Sequence, residues 1–214
     1  YYNYPVSVND MVSLANKGGD FEVLGNEDVS TSGRGKSYGI EFLYQQKLKN
    51  NFYGILSYTF FYSKFSGFDE VFLPSVWDNR NLISFTGGYK LKKNWEISSK
   101  LRFTDKTPYA PINNKLSSQS YPEIVFDYSQ LGNYYLDSFL KLDVRIDKRW
   151  NFKTTSMNFY IDIENLLLNE IPIPPEYGLE RDNNQNVILP WNLIEVESDN
   201  RNSIIPSIGF VFDF

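Results

Sequence analysis

The stretch Trp95-Glu96-Ile97-Ser98-Ser99-Lys100-Leu101-Arg102-Phe103 alternates without a break. Trp95, Ile97, Ser99, Leu101 and Phe103 fall on one side, and Glu96, Ser98, Lys100 and Arg102 on the other. Successive side chains of a strand point to opposite faces, so a period of two reads as β structure with one apolar and one charged face. Just before it, Lys92-Lys93-Asn94 supplies a tight turn. The preceding segment, Asn81 to Leu91, carries Ile83, Phe85, Tyr89 and Leu91 on a single face.

Outward from this pair the same pattern returns five times. From Tyr38 to Leu48, Tyr38, Ile40, Phe42 and Tyr44 share a face opposite Gly39, Glu41 and Gln45. From Phe52 to Phe65, Leu56, Tyr58, Phe60 and Tyr62 alternate with Ser57, Thr59 and Ser63. Downstream, Phe139 to Trp150 sets Leu140, Leu142, Val144 and Ile146 against Lys141, Asp143, Arg145 and Asp147. Met157, Phe159, Ile161 and Ile163 then oppose Asn158, Tyr160, Asp162 and Glu164. Finally Ile208, Phe210, Phe212 and Phe214 alternate with Gly209, Val211 and Asp213. No long stretch has a helical period. The fold class expected is all-β and antiparallel, with seven clear strands and the tail of an eighth within Tyr1 to Ser37.

The connections decide between two antiparallel architectures. They alternate short and long: Lys49 to Asn51 short, Ser66 to Asn79 long, Lys92 to Asn94 short, Thr104 to about Tyr135 long, Asn151 to Ser156 short, Asn165 to about Ile205 long. Antiparallel strands reverse direction each time, so every short turn falls at one end and every long loop at the other. A soluble sandwich has no reason to segregate its loops in this way. A transmembrane β-barrel of the outer membrane does, with short periplasmic turns and long extracellular loops. The last strand then descends to end in the periplasm at Phe214.

Composition is compatible with this. Aromatic residues make up 17% of the 214, with 16 Tyr, 17 Phe and 4 Trp, and membrane barrels need aromatic girdles at both interfaces. On composition alone an aromatic-rich soluble sandwich is equally open. Mean hydropathy is -0.40, and no run of 18 apolar residues exists, so no transmembrane helix is expected. A barrel escapes that criterion because only alternate side chains meet lipid.

Other classes are disfavoured. Cys and His are both absent, which removes Ser-His-Asp and Cys-His nucleophiles and His- or Cys-ligated metal sites. No paired acidic motif stands apart from the strand pattern. The chain is therefore expected not to be an enzyme and to carry no cofactor or metal. A net charge of -5 argues against a nucleic-acid partner, which would want a basic stripe. Gly33-Arg34-Gly35-Lys36 lacks a following helix and is not a phosphate loop. The opening Tyr1-Tyr2-Asn3-Tyr4-Pro5 has no Met and no charged leader, so the chain reads as cut from something longer. An open sheet edge cannot face lipid, and single-chain bacterial barrels have even strand numbers. Either the remnant closes a small barrel or this chain completes a larger one with another polypeptide. The tightly used N-terminus favours the second.

An ordered series of short motifs carries a family resemblance along essentially the whole chain. It begins with Tyr4-Pro5, Ser13-Leu14-Ala15-Asn16-Lys17-Gly18-Gly19-Asp20-Phe21 and Gly33-Arg34-Gly35-Lys36-Ser37-Tyr38-Gly39-Ile40-Glu41. It continues through Ser57-Tyr58-Thr59, Ser75-Val76-Trp77-Asp78-Asn79-Arg80, Asn94-Trp95-Glu96 and Thr107-Pro108-Tyr109-Ala110-Pro111. Leu142-Asp143-Val144-Arg145-Ile146-Asp147-Lys148, Tyr160-Ile161-Asp162-Ile163-Glu164-Asn165 and the closing aromatic strand complete it. Together they resemble the barrel of Bacteroidetes TonB-dependent receptors. The resemblance implies that residues 1–214 are the C-terminal part of a ~22-stranded barrel, with the plug domain and N-terminal strands lying outside this chain. It implies active uptake of a siderophore, glycan or peptide across the outer membrane. The partners implied are outer-membrane lipid and lipopolysaccharide, the remainder of barrel and plug, the energising TonB complex, and a surface lipoprotein. A receptor-like barrel serving as a scaffold in an assembly or secretion complex, or a passive porin-like channel, is the alternative.

Four sets of residues are candidates for function. Trp77, Tyr109, Tyr121, Tyr128 and Trp191, with Tyr134 and Tyr135, are loop aromatics suited to stacking on a substrate. The duller account is interface anchoring or packing of the loops on themselves. Glu41, Lys100, Arg102, Asp143, Arg145, Asp147, Asp162 and Glu164 are expected to face the lumen, where opposite charges on neighbouring strands pair across the sheet. Gly209, Phe210, Phe212 and Phe214 resemble the C-terminal signal read by the barrel-assembly machinery. Asp69, Glu70, Asp182, Glu195, Glu197 and Asp199 are loop acids that suit a cation, or lipopolysaccharide through a divalent ion, and more simply solvated loop charge.

Overall fold

A computed structural model describes residues 3–17, 28–196 and 202–214. Tyr1, Glu197, Asp199 and the motif portion Gly18 to Phe21 lie outside the described residues. The strands are β1 (Asn3–Ser7), β2 (Val29–Lys49), β3 (Phe52–Ser66), β4 (Phe72–Pro74), β5 (Asn81–Lys90), β6 (Trp95–Thr104), β7 (Pro108–Tyr109), β8 (Tyr134–Tyr135), β9 (Phe139–Asn151), β10 (Ser156–Glu164), β11 (Glu176–Leu179), β12 (Leu193–Val196) and β13 (Ile205–Asp213). Two short helices, α1 (Leu14–Lys17) and α2 (Asn114–Ser120), sit in connections.

The main sheet runs β1-β2-β3-β5-β6-β9-β10-β13, with β4 pairing the end of β3. Every pairing is antiparallel. This is an all-β antiparallel meander whose seven long strands are the seven alternating segments of the sequence. β1 is the expected remnant; it pairs only with the start of β2, from Asn3 opposite Arg34 to Ser7 opposite Val29. Among the described residues, β1 and β13 are the two edges of an open sheet.

Register carries the apolar face from strand to strand. Ile40 lies opposite Phe60, Phe42 opposite Tyr58 and Leu56 opposite Phe85. Phe85 meets Leu101, Leu101 meets Leu142, Ile146 meets Ile161, and Ile161 meets Ile208. A one-residue slip anywhere would turn a whole strand inside out, so this continuity is what fixes the register. Aromatic pairs reinforce it: Tyr38 stacks on Tyr62 at 5.1 Å, and Phe159 meets Phe210 at a tilt with 5.0 Å between ring centroids. Leu43, Ile55, Phe61, Leu82, Phe139 and Val211 are among the apolar residues that fall on the polar face.

The apolar face is uncovered. Ile40 is 73% exposed, Ile208 67% and Phe210 61%. The buried hydrophobic residues Val6, Phe65, Leu131 and Leu193 lie instead at the long-loop end. A water-facing sheet of this size would leave a large contiguous apolar patch, which monomeric soluble proteins rarely tolerate.

The same register segregates the connections. Lys49 opposite Phe52, Phe52 opposite Tyr89, Trp95 opposite Lys148, and Ser156 opposite both Asn151 and Asp213 place all three short turns at one rim. The four long connections leave from the other rim. Lys93 and Asn94 take positive φ of 59° and 58° to close the tightest reversal, as do Asn50 and Asn51 at 51° and 68°, a conformation that Asn adopts with less strain than most residues.

Three sequence boundaries shift. β2 begins at Val29, nine residues before Tyr38, so Gly33 to Lys36 is strand and not loop. The stretch from Thr104 to Tyr135 contains α2 and the β7–β8 pair, and the stretch from Asn165 to Ile205 contains the β11–β12 pair. These elements have two to seven residues, too short for periodicity to register.

Candidate functional site

The long connections pack against one another rather than standing apart. The Asn16 side-chain amide donates to the carbonyls of Leu73 and Pro74 at 3.1 and 3.0 Å, tying α1 to β4. Asn81 donates to Asp105 at 2.6 Å and Asn79 to Thr107, joining the connections after β4 and after β6. Gly67 admits the carbonyl of Met11; a Cβ at Gly67 would collide with that backbone oxygen. Asp78 is almost fully buried and accepts the Ser63 N–H at 2.9 Å. Its other oxygen lies 3.2 Å from the Arg80 guanidinium in a geometry that closes no hydrogen bond. Burial pushes the Asp78 carboxyl above the usual carboxylate range, against the pull of the Ser63 N–H and Arg80.

These ties border a half-open cavity of about 710 Å³, lined among others by Trp77, Asn79, Tyr109, Phe126, Tyr128 and Pro174. Its size and its mix of aromatic walls with a few polar groups suit a small-molecule or short-polymer ligand. Tyr109 packs edge-on against Tyr134 at 6.1 Å. Burial raises the pKa of the Tyr109 phenol, with the Glu195 carboxylate adding to it, and Tyr177 is raised for the same two reasons. Both phenols therefore stay neutral donors at ordinary pH.

The five aromatic candidates do not form one site. Trp77, Tyr109 and Tyr128 line this cavity together. Tyr121 and Trp191 pair with each other at 6.3 Å, and Trp191 borders a separate, more open depression of about 670 Å³ beside α2. Phe126, Pro174 and Pro175 also line the cavity, and strand alternation does not point to them. The cluster Pro172, Pro174 and Pro175 is a signal for the two prolines, and Phe126 carries none.

The loop acids do local work. Asp69 accepts the Val71 N–H at 3.1 Å, and Glu70 lies 3.5 Å from Arg34. Asp182 accepts the N–H groups of Asn184 and Asn186, each at 2.8 Å, and these bonds pull its carboxyl below the usual range. Among the described residues no group of three acids is placed to hold a metal ion.

All eight expected lumen residues lie on the polar face, but their pairing departs from the cross-strand scheme. Lys141 reaches Glu164 at 2.9 Å across the β9–β10 pair, and Arg102 reaches Asp143 at 3.8 Å across β6–β9. Arg145, opposite Asp162 in register, instead forks onto Asp147 of its own strand at 2.8 and 2.9 Å. Residues two apart share a strand face, so the long guanidinium reaches along the strand as easily as across it. Lys100, opposite Asp143 in register, gives way to Arg102 and Lys141, which hold that carboxylate. Glu41 faces Thr59 and is exposed.

At the closing strand, Phe210 and Phe212 lie on the apolar face while Gly209 does not, and Phe214 follows the end of the strand, fully exposed. Gly209 sits opposite Tyr160, whose ring occupies the space that a Cβ would take. The glycine is thus a packing requirement of the polar face rather than part of the aromatic row.

Set against known proteins, the chain stands apart. No family model matches it, and neither a curated protein nor a solved structure does. What the chain offers for function is an uncovered apolar face, an ion-paired polar face, and a loop cavity at one rim.

Proposed function

We propose that this chain is the C-terminal part of a transmembrane β-barrel in the outer membrane, of the TonB-dependent receptor kind, and that it serves active nutrient uptake. The observation that carries the reading is the uncovered apolar face, continuous over seven strands, combined with loops confined to one rim. A large aliphatic or aromatic side chain left wholly in water forgoes about 1.5–3 kcal/mol of burial, and Ile40, Ile208 and Phe210, each more than half exposed, forgo the larger part of it. Acyl chains supply the missing apolar surroundings. Strands β5, β6, β10 and β13 have nine or ten residues, which at the tilt of barrel strands suffices to cross the hydrocarbon layer.

The open edges at β1 and β13 fit a sheet continued by further strands, since unpaired backbone groups are costly in lipid. The polar face then lines a wet interior, and the loop cavity around Trp77, Tyr109 and Tyr128 faces the cell exterior as the place of capture. Active uptake is tested in cells carrying the protein. Accumulation of a nutrient above its external concentration, abolished by a protonophore, supports the reading. Uptake that merely equilibrates and ignores the protonophore makes it a passive channel. No uptake, with a retained membrane assembly, makes it a scaffold.

A further inference from the structure

Charge is sorted along the strand axis far more sharply than the net value of -5 suggests. The four long connections, residues 8–28, 67–80, 105–138 and 165–204, hold nineteen carboxylates and six cations. The strands between them balance, with seven of each. The three short-turn stretches, 45–53, 89–95 and 148–156, hold eight cations and no carboxylate. Those cations are Lys47, Lys49, Lys90, Lys92, Lys93, Lys148, Arg149 and Lys153. Only Arg149 has an ion-pair partner among the described residues, Asp213 at 3.5 Å.

Aromatic residues mark the level at which this basic rim meets the apolar face. Tyr89, Trp95, Trp150 and Phe212 all lie there. Lys148 is on the same apolar face, and its ammonium lies 5.4 Å from the Trp95 ring and 5.5 Å from the Trp150 ring while donating to the Lys93 carbonyl. A lysine placed among indoles at the end of an apolar belt keeps its stem in the greasy layer and its charge in the polar one. The lipid phosphate stands at that depth.

We propose that the short-turn rim is a docking surface for anionic phospholipid headgroups, with Lys92, Lys93, Lys148 and Lys153 holding phosphates beneath the Trp95–Trp150 girdle. The proposal rests on the membrane reading above. Its driving force is electrostatic attraction of clustered lysines to an anionic leaflet, which salt screens. The opposite rim carries the reverse charge, so the surface also orients the protein between two unlike leaflets.

The test uses the protein purified from its membrane in neutral detergent and reconstituted with brominated lipids. Fluorescence quenching by brominated phosphatidylglycerol is compared with that by brominated phosphatidylcholine at equal mole fraction. The share of quenching that W95F/W150F removes is the share reporting on this rim. The expected result is that phosphatidylglycerol quenches that share about threefold more effectively, and that 0.5 M salt or K92Q/K93Q/K153Q brings the ratio to about one. Equal quenching by both lipids overturns the proposal and leaves the membrane reading standing. No quenching by either lipid sinks both. A preference that survives in K92Q/K93Q/K153Q and in salt overturns the assignment to these lysines. Retention of an acidic protein by the parent but not by the variant, without lipid preference, overturns it in favour of a protein partner.

Discussion

The Arg145 guanidinium stands 3.8 Å from the centroid of the Tyr160 ring, and the Tyr160 ring in turn fills the space left by Gly209. Three strands, β9, β10 and β13, are thereby joined on the polar face by one stack. Arg145 also holds Asp147, which accepts from Asn158 at 2.7 Å. R145M keeps the stem but removes both N–H donors of the fork, leaving Asn158 as the side-chain donor to the Asp147 carboxylate. The expected loss is about 1 kcal/mol, at the low end for a bond to a charged group because the site is open to water. Denaturant titration of the protein in vesicles measures it, and an unchanged midpoint counts against the stack.

G209A tests the same stack from the other side. A methyl group there meets the Tyr160 ring, which must leave its place over the strand. Overpacking of this kind costs about 1–3 kcal/mol. The double variant G209A/Y160A should recover part of the loss, whereas a purely aromatic-row role for the glycine gives no recovery.

Asp78 gives the loop cap a pH dependence. Its carboxyl titrates higher in the folded protein than when unfolded, so the folded form binds the proton more tightly. The contribution is fully present below the ordinary carboxylate value and is lost as pH rises through the raised value. Hydrogen exchange of the Ser63 region, corrected for intrinsic rates, should show more protection at mildly acid pH than at neutrality. D78N should flatten this dependence. D78A should lower protection at every pH, because the buried Ser63 N–H loses its acceptor at about 1–3 kcal/mol.

Gly67 tests whether the connections pack as a unit. G67A drives a methyl group into the Met11 carbonyl, and neither partner is a flexible side-chain end. The connection bearing α1 must move, with a cost of about 1–3 kcal/mol. Because Asn16 borders the cavity beside Trp77, the emission of Trp77 should shift in G67A relative to the parent. Unaltered emission and stability would mean the connections are independent.

Much of this architecture was legible in the residues. The alternation of Trp95 to Phe103 and its six companion segments marks all seven long strands, because a half-apolar strand writes its two faces into every second position. The alternation of short and long connections by itself requires the loops to share one rim, whatever the register. Side-chain pairing was less legible: Arg145 chose Asp147 over Asp162 because two partners lay within reach, and sequence does not rank them. The cavity was legible only in part. Trp77, Tyr109 and Tyr128 are 19 to 51 residues apart in sequence, and only the ties through Asn16, Asn79 and Asn81 bring their connections together. Tyr121 and Trp191 look alike in sequence and fall elsewhere.

One face of this sheet is expected to meet acyl chains and the other to meet water. This chain has no cysteine, so single cysteines introduced in turn from Leu140 to Trp150 of β9 and spin-labelled report each position in the reconstituted protein. Even positions, those of Leu142, Val144 and Ile146, should be relaxed by oxygen dissolved in lipid. Odd positions, those of Lys141, Asp143 and Arg145, should be relaxed by a water-soluble nickel chelate. Loss of that alternation, with both sets equally open to the nickel chelate, would contradict the account.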